Sequence, residues 1–228
     1  MNASSRGAGS GVRKPPRAFP WVRESRDGAL WLLREGVDPG ALRGAVVAPA
    51  GGAASPLGRG GFHYDHPALG PLRVKFHRRG GLFGMLFPEW GLNEGAARRE
   101  LEVELILPHW DLPTQETLAF RIQRASPRLT SVQRYFPAEI TLAELRAAGR
   151  ATAEMETAAE TLAHALFLAG IHHRDFHAGN LLWNDHRKSL RLIDLSSARS
   201  GREARVNNSV DRMLRRLAKP PRAYRIRG

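Results

Sequence analysis

The stretch GIHHRDFHAGNLLWNDHRKSLRLIDLSSAR, residues 170–199, limits the possible folds of this chain more than any other. Before it, Met155, Ala159, Leu162, Leu166 and Ala169 recur on one face of a helical period that stops at Gly170. After a short polar loop, "NLLW" and "LRLIDL" flank the turn "NDHRKS" and read as a hairpin. On this scaffold Asp175 falls in the loop, Asn180 five residues later, and Asp194 at the end of the second strand. An Asp alone before a strand caps or bends the chain. A carboxylate, an amide and a second carboxylate in this order supply hard oxygen ligands, the kind a Mg²⁺ ion bound to phosphate takes.

The preceding residues read as strands with one helix. "ALWLLRE" is a plausible strand, and the glycine-rich "APAGGAASPLGRGG" reads as a flexible loop. Leu72, Val74 and Phe76 alternate with Arg73, Lys75 and His77, a strand pattern, and residues 94–107 have helical composition after Asn93, a usable N-cap. "TLAFRIQRA" and "LTSVQRYF" make two further strands ending at Pro137, and Thr141 with Glu144 has the spacing of a capping box. The expected organisation is a basic tail over 1–17, a β-rich nucleotide lobe over 18–137 and a helical catalytic lobe over 138–228. Such a chain belongs to the α+β class, with two lobes around a cleft.

Charge narrows the partners. The formal net charge of +13 calls for an acidic partner: nucleic acid, anionic lipid or a phosphorylated substrate. The absence of cysteine removes disulfide frameworks, thiolate metal sites and cysteine nucleophiles. His173 and His177 are four apart, but they fall in a loop without an H-E-x-x-H pattern, so zinc is not expected. No RRM, KH or zinc-finger pattern accompanies the arginines, and a nucleic-acid role leaves the three placed acidic and amide groups unexplained. Lys14, Lys75, Lys188 and Lys219 are the only lysines among 35 basic residues, so a lysine inside a strand needs a reason.

His173-Arg174-Asp175 with Asn180 matches H-R-D-x-x-x-x-N, and Asp194 stands where the kinase pattern has the Asp of D-F-G, here followed by Leu195 and Ser196. Phosphoryl transfer from ATP needs a carboxylate beside the attacking hydroxyl, which Asp175 supplies, with His173 completing the catalytic motif. Asn180 and Asp194 are the candidate Mg²⁺ ligands. The first half should contribute a phosphate-covering glycine loop, a strand lysine and a helix carboxylate. Gly58, Gly60 and Gly61 are candidates for the loop, and Lys75 for the lysine, with a solvated strand-face charge as the alternative. Glu102 is the candidate carboxylate and Glu100 a near-equal alternative that periodicity does not separate.

With "LGRGG", "VKFHRRGGLFG", "HHRDFHAGNLLW", "LIDLSSAR" and "DRMLRRL" in this order, the chain resembles the bacterial lipopolysaccharide core kinases over about residues 56–219. The closer likeness is to 3-deoxy-D-manno-octulosonic acid (Kdo) kinases. The resemblance implies a small protein-kinase-like fold with a reduced C-terminal lobe, ATP and Mg²⁺ as cofactors, and a sugar of the inner core, Kdo of Kdo-lipid A, as acceptor. It also implies work at the cytoplasmic face of the inner membrane.

An ordinary protein kinase is not expected, since 34 residues after Asp194 are too few for an activation segment and a peptide-docking lobe. A small-molecule kinase of the aminoglycoside or Rio type shares the Asp, Asn and Asp pattern and is the enzyme alternative. In "VDRMLRRL", Val210, Met213, Leu214 and Leu217 share one helical face and the arginines take the others. That helix suits either contact with anionic lipid or docking on the core with a solvated basic back.

Overall fold

A computed structural model describes residues 20–46, 54–56, 61–77, 94–123, 129–201 and 209–219. Its first half is one antiparallel sheet. The strands are β1 (Trp21–Arg26), β2 (Ala29–Arg34), β3 (Ala54–Pro56), β4 (Gly61–His66), β5 (Gly70–Phe76), β6 (Thr117–Gln123) and β7 (Leu129–Arg134). They are ordered β1-β2-β6-β7-β5-β4-β3, and every neighbouring pair is antiparallel.

Alternation along the strands gives the sheet two apolar faces. Ala29, Trp31, Leu33, Phe62, Leu72 and Val74 cover one, packed against Leu42 and Val46 of helix α1 (Pro39–Val46). Leu30, Leu32, Phe120, Ile122 and Leu129 cover the other, beneath Ala97 and Leu101 of helix α2 (Glu94–Ile106). Lys75 lies between Val74 and Phe76, both on the α1 side, so it projects toward α2.

The second half packs as a helical lobe. Strand β8 (Ile140–Thr141) leads into helix α3 (Leu142–Ala147), and helix α4 (Ala153–Leu168) follows. Next come β9 (Ile171–His173), the hairpin β10 (Leu181–Asn184) and β11 (Ser189–Leu192), β12 (Ala198–Ser200) and helix α5 (Ser209–Leu217). Strand β10 pairs with β11 and β8, while β12 pairs with β9. A single core runs from Val103, Ile106 and Leu107 at the end of α2, through Leu162 and Leu166 of α4, to Met213 and Leu217 of α5. Because α2 contributes to clusters in both halves, it ties the lobes together. The architecture is therefore the α+β, two-lobed arrangement expected from the sequence.

Local signals account for several boundaries. Thr141 and Glu144 close the capping box, with Glu144 N–H donating to Thr141 Oγ1 at 3.1 Å and Thr141 N–H to Glu144 Oε2 at 3.0 Å. Helix α4 is capped by Thr152 and followed by Gly170, whose φ of +70° suits a residue without a Cβ. Three elements depart from the sequence reading. Strand β1 is polar and largely exposed, so it carries no periodic apolar signal. Helix α1 is a short run of small residues. The stretch read as a flexible loop contains β3 and the first residue of β4. Gly61 is needed there because a Cβ would lie 2.0 Å from the Val74 carbonyl oxygen across the β4–β5 ladder.

The apolar face of α5 is spent on the core: Met213 is 0% and Leu217 4% exposed, and Leu214 packs beside them. The docked arrangement, not an apolar face free to enter lipid, is the one found. Among the described residues no helix is long and apolar enough to cross a membrane.

Candidate active site

The cleft between the lobes gathers most of the residues singled out by the sequence. Lys75 of β5 forms an ion pair with Asp194, its Nζ against Oδ1. Burial alone would push the Asp194 carboxyl up, but Lys75 and a 2.6 Å hydrogen bond donated by Ser196 Oγ outweigh it and hold the group below the usual carboxylate range. Asp194 is thus ionised at any physiological pH.

The backbone at Asp194 is unusual. With φ 59° and ψ 61° it occupies the left-handed region, which non-glycine residues seldom adopt and which costs on the order of 1–3 kcal/mol. Two side chains hold it there. Gln115 Oε1 accepts from Asp194 N–H at 2.9 Å, and His173 Nε2 donates to the Asp194 carbonyl at 3.0 Å. His173 is fully buried, and burial pushes its pKa down to about 4, so the ring is neutral. With Nε2–H donating, its Nδ1 accepts from Ser197 Oγ at 3.4 Å, and Ser197 Oγ accepts from Asp175 N–H at 3.1 Å. His173 therefore links the Asp175 loop to Asp194 and is placed to position both.

Asp175 is half exposed, its Oδ1 accepting from Arg216 Nη1 at 3.1 Å and its Oδ2 lying 3.5 Å from His177 Nε2. Asn180 is 7% exposed, and its Nδ2 donates to the Asp175 carbonyl at 2.9 Å. Its backbone carbonyl accepts from Ile193 N–H at 2.9 Å, which fixes Asn180 beside the residue preceding Asp194. With the amide nitrogen occupied, the amide oxygen is the atom left to act as a ligand.

Helix α2 presents Glu100 rather than Glu102 to Lys75. Glu102 turns toward the helical lobe and accepts from Ser200 Oγ at 2.9 Å. Glu100 is 2% exposed, and burial raises its pKa to about 7 against the attraction of Lys75, with Asp194 adding to the rise. Gln115 Nε2 donates to Glu100 Oε1 at 2.8 Å, so one amide bridges Glu100 and the Asp194 backbone. Glu104, one turn on, accepts from Thr117 N–H at 2.8 Å and Thr117 Oγ1 at 2.5 Å, and burial raises its pKa too. His77, two residues past Lys75, is held neutral, its pKa pushed to about 3 by burial and then by Lys75. Neither Gln115 nor Glu104 carries a motif in the sequence.

Next to Asp194, a cavity of about 200 Å³ opens between the sheet and the hairpin. Arg73, Gln133 and Tyr135 line its upper side, and Leu182 and Ile193 its lower side. Arg73 Nε and Gln133 Nε2 are buried there with no partner among the described residues. The lining mixes apolar side chains with polar ones, including Arg73, Gln133 and Glu139, a composition that suits a polar ligand such as a nucleotide. Gly61 pairs with Lys75 across the ladder, while Gly58, Gly60 and Arg78–Gly81 lie outside the described residues. Among the described residues no three His, Cys, Asp or Glu side chains cluster. The amide and carboxylate of Asn180 and Asp194 fit a Mg²⁺ ion that keeps waters and completes its shell with phosphate oxygens.

No family model and none of the curated proteins matches this chain. A solved structure of WaaP in complex with acyl carrier protein is similar to it, at 18% identity and a TM-score of 0.47, over 73% of this chain and 69% of that one.

Proposed function

We propose that this chain transfers a phosphoryl group from ATP to a hydroxyl of an anionic sugar lipid of the lipopolysaccharide inner core. Kdo of Kdo-lipid A is the acceptor favoured by the sequence motifs. The observation that carries the reading is the meeting of Lys75 with Asp194, whose left-handed backbone is held by groups from two other segments. Strained backbone that is so fully determined is characteristic of functional sites.

In this reading the cavity above Leu182 and Ile193 takes the base, with Arg73 and Gln133 among the polar residues of its lining. Lys75 neutralises phosphate charge, and Glu100 is the helix carboxylate that fixes the ammonium. Asn180 and Asp194 would hold Mg²⁺, which supplies charge neutralisation to the phosphates. Asp175 orients the acceptor hydroxyl and accepts its proton as the oxygen bonds to phosphorus and the bond to the ADP oxygen breaks. Gln115 and His173 act only through Asp194 and Asp175, as positioning residues.

The test is transfer of label from γ-³²P-ATP to purified Kdo-lipid A, heptosylated lipid A and a neutral aminoglycoside, assayed side by side. Transfer to a Kdo-containing acceptor supports the reading. Transfer to the aminoglycoside alone replaces it with that of a small-molecule kinase.

A further inference from the structure

A second cavity lies outside the cleft, about 480 Å³ between the segment from His172 to Arg174 and helix α5. Arg174, Arg212, Arg215, Arg216 and Lys219 all line it. Among the described residues only Arg216 has an acidic partner, Asp175. His172, also in the lining, has its pKa lowered by burial and then by Arg174, Arg212 and Arg216, and its Nδ1 has no partner among the described residues. Packing of Met213 and Leu217 on the core turns this row of arginines toward Arg174. Like charges brought together by folding repel one another, so a cavity of this composition is stabilised by an anion.

We infer that this cavity is the subsite for the phosphate or carboxylate groups of the acceptor, with Arg212 and Arg215 as its specificity determinants. The inference rests on the phosphoryl-transfer reading for the ligand's role as acceptor, but the cavity's taste for anions follows from its lining alone. Arg216 connects it to the chemistry, donating to the Asp175 carboxylate at 3.1 Å while lining the cavity. Both partners of that pair are about half exposed, at 49% and 51%, so the pair is weak and readily shared with an incoming anion. An acceptor whose anionic group is drawn to Arg216 is thereby brought beside Asp175. Planar guanidinium groups favour bidentate pairing with phosphate or carboxylate, and four of the five cations in this lining are arginines.

The experiment is isothermal titration of the full chain with inorganic phosphate, using wild type, the double variant Arg212→Ala/Arg215→Ala, and Arg187→Ala on the distant hairpin turn. The double variant is expected to bind phosphate about tenfold or more weakly, the loss of charge-assisted hydrogen bonds, and Arg187→Ala to match wild type. Equal affinity in the double variant, or an equal loss in Arg187→Ala, overturns the inference. Flotation with phosphatidylcholine vesicles, with and without phosphatidic acid, identifies the source of the anion. Binding to the acidic vesicles that the double variant loses assigns the subsite to a lipid-borne phosphate, and vesicle binding that the variant keeps leaves it to the free anion. Mg-ATP titration of the same proteins is a separate readout. A wild-type chain that binds phosphate but not Mg-ATP keeps the subsite and rejects the kinase reading, and the reverse result rejects the subsite alone.

Discussion

Replacing Glu100 with Gln tests the centre of the site, first through stability. Glu100 is 2% exposed, and burial lifts its pKa from the ordinary 4.5 to about 7. Below pH 4.5 the group is protonated in both folded and unfolded chains and folding is unpenalised. Between pH 4.5 and 7 the unfolded chain ionises while the folded one keeps its proton, so stability falls as pH rises. Above pH 7 both are ionised and the full loss is present. The gap between the two pKa values corresponds to about 3 kcal/mol. Gln keeps the shape and can still accept from Gln115 Nε2, but it does not titrate.

The stability of Glu100→Gln minus that of wild type should therefore grow by about 3 kcal/mol from pH 4.5 to pH 8. Urea unfolding followed by tryptophan fluorescence at half-unit pH steps measures it. Taking the difference cancels His77 and His173, whose lowered pKa values act in the opposite sense over a more acidic range. A difference that stays flat across this interval refutes the burial argument. Mg-ATP affinity supplies the functional half: in wild type it should improve through pH 7 as Glu100 ionises beside Lys75, and the Gln variant should lack that rise.

Asp175→Ala should lower phosphoryl transfer by about 10²–10⁴ while Mg-ATP binding persists, measured by single-turnover assay and titration. Asp194→Asn should remove the Mg²⁺ dependence of nucleotide affinity, read by titration with and without EDTA. Gly61→Ala places a Cβ against the Val74 carbonyl and should destabilise the chain by about 2 kcal/mol, measured by thermal melting, because the β4–β5 ladder must part to admit it.

Where a local rule and the tertiary environment agree, the fold was legible from the sequence. The apolar face of α4, the box at Thr141 and the turn at Asn184 each carry their own physical cause, and the structure forms all three. The glycine-dense stretch ending at Gly61 hid β3 and the start of β4 because strand propensity is low there, and the ladder is imposed by pairing of β3 with β4 and of β4 with β5. Glu100 and Glu102 could not be separated by composition, since both sit on a helix with apolar residues on either side. Their difference arises from the sheet beneath: Glu100 shares a face with Ala97, Leu101 and Glu104, whereas Glu102 points to β12.

Motifs identify groups that touch phosphate, metal or acceptor, because chemistry restricts their type and order. They do not identify the groups that hold those residues in an unfavourable conformation, for which any donor or acceptor of suitable reach will serve. Gln115 is such a group. Its segment lies against β11, with Gln115 N–H donating to the Leu192 carbonyl at 2.9 Å, so its side chain reaches Asp194 with one end and Glu100 with the other. One neutral amide thus joins a helix of the sheet lobe to the strained aspartate of the helical lobe. The protonation of Glu100 and the placement of Asp194 are coupled through it, which makes the interlobe contact itself part of the site.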